Sequence, residues 1–202
     1  MNTIDAQQIT GLILAGGRGT RMGQIDKGLQ TFRNAPMALH ALLRLNPQVG
    51  EVIINANQNL AAYESFGTQV WPDHLTGFAG PLAGLQTGLL HCNSPYLLTV
   101  PCDSPLLPHD LASRLSAGLL ADDADLAVAV TLESEDGVTR RQMHPVFALV
   151  KTALLNDLSE FLRTGGRKVD AWFAPLRVAE VLFDDHTAFR NFNTLQELRQ
   201  FE

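Results

Sequence analysis

The chain has 202 residues, of which 46% are hydrophobic and 18% charged, with a formal net charge of −6. This balance fits one compact globular domain over 1–202 and excludes a disordered segment, while the acidic sign argues against a general nucleic-acid surface, which needs a basic footprint. The first ten residues, MNTIDAQQIT, read as a polar tail without the basic and apolar regions of a leader, and no apolar stretch reaches about 18 residues, so neither secretion nor a membrane span is expected.

The first predicted strand covers 12–15 and empties into Gly16-Gly17-Arg18-Gly19, with cations following at Arg18, Arg21 and Lys27. Glycines let backbone N–H groups converge on a ligand, and the cations add charge-assisted hydrogen bonds suited to phosphate oxygens, so the loop is expected to hold a nucleoside triphosphate. A Walker A loop needs lysine after its second glycine and then a hydroxyl, whereas here Lys27 precedes Gly28. A dinucleotide fingerprint needs glycine where Met22 stands. Both fail. The competing reading is a tight strand-to-helix turn with surface cations. Between Gly16 and Arg33 the cations Arg18, Arg21, Lys27 and Arg33 face Asp26 alone, so an acidic chain has gathered cations at one loop.

A helix is predicted over 36–45, then a β-branched strand over 51–57 that ends in amides. Carboxyl ends of parallel strands line ligand crevices, so Asn55 either meets a base or ribose or caps the following turn. A short helix over 60–66 and a strand over 68–71 lead to Pro72-Asp73. The glycine-rich run from Gly77 to Gly84 is expected to feed a helix over 85–91 and to let a ligand approach closely. The strand over 95–100 delivers Asp103 between Pro101 and Pro105, a rigid carboxylate suited to Mg²⁺; the alternative is an N-cap. Cys92 and Cys102 match no metal spacing and suit a reduced compartment, and Cys102 has no neighbour that would activate it.

Beyond a helix over 110–120 and a strand over 125–130, the polar stretch 133–141 is expected to be a loop before a strand over 144–150. A helix over 152–163 breaks at Gly165-Gly166. Arg167 and Lys168 follow, either as a second basic site with Arg140 and Arg141 or as solvated surface. A strand over Val178–Phe183 precedes Asn191 and Asn193, expected to alternate on one strand end, and Thr194 with Glu197 forms a capping box. Alternation of strands and helices to about residue 120 predicts a parallel sheet.

Taken together and in order, LILAGGRGTRMG with Lys27, NAN at 55–57, GPLAG at 80–84, VPCDSP at 100–105 and FNTLQEL at 192–198 resemble the molybdenum cofactor guanylyltransferase (MobA) family over nearly the whole length. The resemblance implies an α/β, Rossmann-like nucleotidyltransferase fold, with a mostly parallel central sheet and helices on both faces. It also implies transfer of GMP from GTP to molybdenum-bearing molybdopterin in the bacterial cytoplasm, with pyrophosphate released and Mg²⁺ as cofactor. Residues 11–120 would form the nucleotide half and 121–202 the cofactor or acceptor side. Carried over, the GTP contacts are Leu14, Ala15, Gly16, Lys27, Asn55, Asp73 and Asp103, to which the reading of the glycine loop adds Gly17 and Arg18. The catalytic group is Arg21, Lys27 and Asp103, with Asp103 also the metal ligand and water expected in most of the metal shell. Gly80, Pro81, Arg167, Lys168, Asn191 and Asn193 are the candidates for the molybdopterin side. Transient contact with other proteins of cofactor assembly or with recipient molybdoenzymes is expected, and no nucleic acid or membrane partner.

Two departures bear on the pocket's detail: Trp71-Pro72 before Asp73, and the segment Phe32-Arg33-Asn34-Ala35-Pro36, which lacks the glycine of the usual turn. The rival readings are a cytidylyl-transferring relative, a sugar-1-phosphate nucleotidyltransferase and a non-catalytic GTP-binding adaptor.

Overall fold

The structure is a computed structural model that describes residues 3–16, 26–75, 80–135, 138–192 and 197. The leading apolar run is a strand, β1 (Ile9–Leu14), that sends Ile9 and Ile13 into one core and Leu12 into another, as a two-residue period requires. A strand buried on both faces has no room for polar alternation, which is why the run reads as continuously hydrophobic. A small ribbon follows, β2 (Thr31–Phe32) and β3 (Ala35–Pro36), whose turn holds Arg33 and Asn34 at φ 45° and 67°. Two successive positive φ values are those of a tight hairpin turn, taken here without glycine.

Next come α1 (Met37–Leu45), β4 (Glu51–Asn55), α2 (Leu60–Glu64), β5 (Gln69–Trp71), α3 (Pro81–His91), β6 (Tyr96–Pro101) and α4 (Leu111–Ala121). The chain continues through β7 (Leu126–Glu135), β8 (Val138–Lys151), α5 (Leu155–Arg163), α6 (Val169–Phe173) and β9 (Val178–Phe183). Among the described residues, seven strands form one sheet in the order β5-β4-β1-β6-β8-β7-β9. Every neighbouring pair is parallel except those made by β8, so the sheet is mostly parallel and strands from both halves of the chain share it. Ala38, Ala41 and Leu45 of α1, Tyr63 of α2 and Leu111 and Leu115 of α4 cover one face. Leu82, Leu85 and Leu89 of α3, Leu158 and Leu162 of α5, and Trp172 of α6 cover the other. Among the described residues no helix is long and apolar enough to cross a membrane.

Several expectations are corrected. The polar stretch 133–141 is mostly strand: β7 and β8 run on through it as a long hairpin, pairing Glu133 with Arg140 and Leu132 with Arg141. Opposite charges set across the ladder, and an ion pair from Arg141 to Glu180 on β9, stabilise backbone that composition alone assigns to a loop. α3 begins at Pro81 and not at 85. Gly80 takes φ 76° at its N-cap and Pro81 occupies the first turn, where a missing N–H costs nothing. Gly84 lies inside α3, where an added Cβ would overlap Asn55 and Leu14, so its bareness serves close packing of helix on sheet and not ligand entry. Asn191 follows a 3-10 turn, His186–Phe189, and is not on a strand end. Asn193 and Thr194 lie outside the described residues.

His144 of β8 bridges two of these features. Its ring stacks on Phe189 at 4.8 Å and its Nε2 lies 2.8 Å from the Thr131 hydroxyl. Burial pushes the imidazole below its ordinary range, against the pull of Glu133. The unfolded chain therefore takes up the proton first. The ring's contribution to stability is complete above the ordinary histidine range, about 6.5, and is lost as pH falls from there towards the lowered folded value. Thermal unfolding of His144→Gln should therefore depend less steeply on pH between 7 and 5 than that of wild type, by at most about 1.4 kcal/mol per pH unit. An unchanged slope would assign the acid sensitivity elsewhere.

Candidate active site

β1 ends between the carboxyl ends of β4 and β6, with Leu14 paired to Asn55 on one side and to Pro101 on the other. The backbone keeps that alignment past the strand: the Ala15 N–H donates to the Asn55 carbonyl at 2.8 Å, and the Cys102 N–H to the Leu14 carbonyl at 3.1 Å. Asn55, at the end of β4, and the loops that carry Gly16 and Asp103 therefore lie side by side, because parallel pairing puts three strand ends at one edge.

On the β4 side an amide pincer holds Asp73. Asn55 Nδ2 donates to Asp73 Oδ1 at 2.9 Å and to the Trp71 carbonyl at 3.1 Å. Asn57 Nδ2 donates to Asp73 Oδ2 at 2.8 Å and to the Gly16 carbonyl at 3.2 Å, while Asn57 Oδ1 accepts from the Asp73 N–H at 2.8 Å. Asn55 is only 2% exposed and caps no turn; its amide is spent on β5 and Asp73. A buried amide, Asn55, and a half-buried one, Asn57, aim one carboxylate, each carboxylate oxygen keeping further acceptor capacity. A Cβ on Gly16 would come within 2.9 Å of both Asn55 and Asn57, so here the bare backbone is what lets the pincer close. Asn57 was missed as a site residue, although the NAN repeat offered the signal of two amides one residue apart at a strand end.

On the β6 side Lys27 Nζ lies 3.4 Å from Asp103 Oδ2, the two side chains being 24% and 14% exposed. Burial pushes the Asp103 carboxyl above its usual range, and the Lys27 ammonium pulls it back. Asp103 does not cap α4, whose N-cap is Asp110. The C-terminal segment braces it instead: the Phe192 N–H donates to the Asp103 carbonyl at 3.0 Å, and the Ser104 hydroxyl donates to Asn191 Oδ1 at 2.5 Å. Cys102 is buried and its thiol is pushed well up, which fits an inert side chain. Among the described residues no group of three His, Cys, Asp or Glu side chains could hold a metal ion. A single carboxylate disfavoured as an anion by burial still fits a hard cation that takes one protein oxygen together with substrate phosphates and water.

Gly80 and Pro81 open α3, and Pro81 lines an apolar cleft with Leu14, Thr99, Pro145, Val169 and Phe173. Lys168 is the N-cap of α6, next to Val169 of that cleft. The Arg167 guanidinium donates to the Leu162 and Gly166 carbonyls at 2.9 and 2.6 Å, and so serves the end of α5. Arg141 is engaged with Glu180, so the cations predicted to form one basic site are partly spent on structure. Gly17, Arg18, Arg21 and Asn193 lie outside the described residues.

A family model, the MobA-like NTP transferase domain, matches residues 11–179. The chain is 61% identical to a molybdenum cofactor guanylyltransferase of Ralstonia nicotianae, over 98% of this chain and 97% of that one. A protein of the same name from Bordetella petrii is 59% identical over 98% of each chain. Among solved structures, the molybdopterin-guanine dinucleotide biosynthesis protein A from Archaeoglobus fulgidus superposes with a TM-score of 0.74 over 95% of each chain at 19% identity, which shows a shared fold.

Proposed function

The chain belongs to the MobA-like NTP transferases and, among them, to the molybdenum cofactor guanylyltransferases, and from that premise we propose that it transfers GMP from GTP to molybdopterin carrying molybdenum, releasing pyrophosphate. The observation that supports the reading best is the pair of arrangements flanking the end of β1: an amide-held carboxylate at Asp73 and a cation–carboxylate pair at Lys27 and Asp103.

The acceptor's terminal phosphate attacks the α-phosphorus in line with the departing pyrophosphate. The attacking group is already ionised near neutral pH, so no general base is required, and catalysis reduces to positioning and charge neutralisation. Leu14, Ala15 and Gly16 present backbone to the nucleotide, and Asp73, aimed by Asn55 and Asn57, accepts from donors of the base or ribose. Lys27, with Arg18 and Arg21, offsets charge on the leaving phosphates. Asp103 would hold Mg²⁺, which when bound neutralises phosphate oxygens. Gly80, Pro81, Lys168 and Asn191, with Arg167 and Asn193, make up the proposed molybdopterin side. The halves 11–120 and 121–202 of one domain serve nucleotide and acceptor respectively. A cytoplasmic setting and transient hand-over contacts with proteins of cofactor assembly or recipient molybdoenzymes complete the proposal.

Thermal unfolding against GTP, CTP, UTP and ATP, each with and without Mg²⁺, tests it. A ligand at about a hundred times its dissociation constant adds roughly 2.7 kcal/mol, on the order of 5–10 °C for a chain of this length. A shift specific to GTP, followed by pyrophosphate release on adding molybdopterin, is the expected result. A shift with CTP alone would move the assignment to cytidylyl transfer.

A further inference from the structure

Asp26 stands immediately before Lys27, at the N-cap of the 3-10 turn Lys27–Leu29, yet its side chain makes no capping hydrogen bond. Both carboxylate oxygens are used at long range instead. Tyr63 Oη donates to Oδ1 at 2.5 Å, and Asn59 Nδ2 donates to Oδ2 at 3.0 Å. The Asp26 carbonyl also accepts from Gln30 Nε2 at 3.1 Å. Tyr63 is 0% exposed, on a helix, α2, of only five residues. Burial, with Cys102 and Asp26 close by, pushes its hydroxyl far above the usual range, so it stays a donor.

The far side of Lys27 is held by the same phenol. A Cβ on Gly28 would lie 2.5 Å from Tyr63 Oη and 3.1 and 3.2 Å from Cys102 Cβ and Sγ. Glycine is therefore required there, and the backbone on either side of Lys27 rests on Tyr63. Cys102 is bonded in sequence to Asp103, the partner of the Lys27 ammonium at 3.4 Å. A carboxylate facing a buried phenol costs desolvation that an apolar pair filling the same space would not, so packing alone does not account for Asp26. Fixing the lysine backbone removes the backbone share of the freedom that would otherwise be lost when the ammonium meets a phosphate, and limits where the ammonium can reach.

We propose that Tyr63 is a positioning residue: through Asp26 on one side and Gly28 on the other it fixes the backbone of Lys27, so that the ammonium faces the leaving phosphates beside Asp103. Asn59 completes the clasp. The inference rests on the guanylyl-transfer reading, and its test separates the two.

The dissociation constant of Mg²⁺-GTP is measured by calorimetry for wild type, Tyr63→Phe, Lys27→Ala and the double variant. Tyr63→Phe should weaken binding about tenfold in the wild-type background, the scale of one hydrogen bond to a charged group, and less than about twofold once Lys27 is already alanine. Asn59→Gly, which removes an exposed arm at an α2 N-cap whose φ of 53° glycine takes without strain, should weaken it about two- to threefold by the same route, and it carries the test should Tyr63→Phe fail to fold. Equal losses in both backgrounds, or a lowered melting temperature with unchanged affinity, would overturn the positioning role and leave Tyr63 a structural residue. Wild-type protein that binds CTP in place of GTP would sink the guanylyl reading alone, and the coupling is then read with CTP.

Discussion

Asp103→Asn is expected to lower pyrophosphate release from GTP by about three orders of magnitude or more, while the nucleotide-free protein melts no lower than wild type. The two halves of this result have one cause. The Asp103 carboxylate is 14% exposed, and burial disfavours its charged form enough that the nearby ammonium offsets it only in part. Asparagine keeps the size and loses the charge, so the desolvation cost disappears along with the ability to neutralise phosphate through a bound cation. Lys27, at 24% exposure, can turn to water when its partner becomes neutral. Residues kept for function at a cost in stability behave in this way. The paired measurements are steady-state pyrophosphate release and thermal unfolding without ligand. Near-normal turnover would refute the role of Asp103, and a large loss of stability would show that the ion pair holds the loop together.

Lys27→Ala should give a comparable loss of turnover with the opposite effect on the unliganded protein. Removing the ammonium strands the carboxylate of Asp103 in a desolvated site, and breaking one side of a partly buried pair costs roughly 1–3 kcal/mol. The Asp103 carboxyl should then titrate higher still, since the attraction that pulled it down is gone. Combining Lys27→Ala with Asp103→Asn should restore stability towards that of Asp103→Asn alone and leave activity absent. Additive stability losses in the double variant would show that the two side chains act independently, against the 3.4 Å contact. Near-normal turnover in Lys27→Ala would remove it from the catalytic group.

The strand-end positions of the polar residues and the order of strands and helices up to about residue 120 were legible locally. A parallel strand covered on both faces must be apolar throughout, and the chain must turn at its carboxyl end, so Leu12-Ile13-Leu14 followed by Gly16 announces both strand and crevice. Asp103 and Asp73 were placed just past strand ends for the same reason. The stretch 133–141 misled because charge and polarity mark loops only where no partner strand lies opposite, and Glu133 and Arg140 supply that partner to each other. GPLAG misled in part, since its bare position at Gly84 answers to Asn55 and Leu14 across the helix–sheet contact.

The strands up to about residue 120 and the presence of carboxylates just past strand ends follow from the sequence itself, because each depends on neighbours within a few residues. The partners of those groups do not. Asn57 meets Asp73 across 16 residues, Tyr63 meets Asp26 across 37 and Ser104 meets Asn191 across 87. Such bonds are decided by the order of strands in the sheet and by which helix covers which face, and no local period encodes either one.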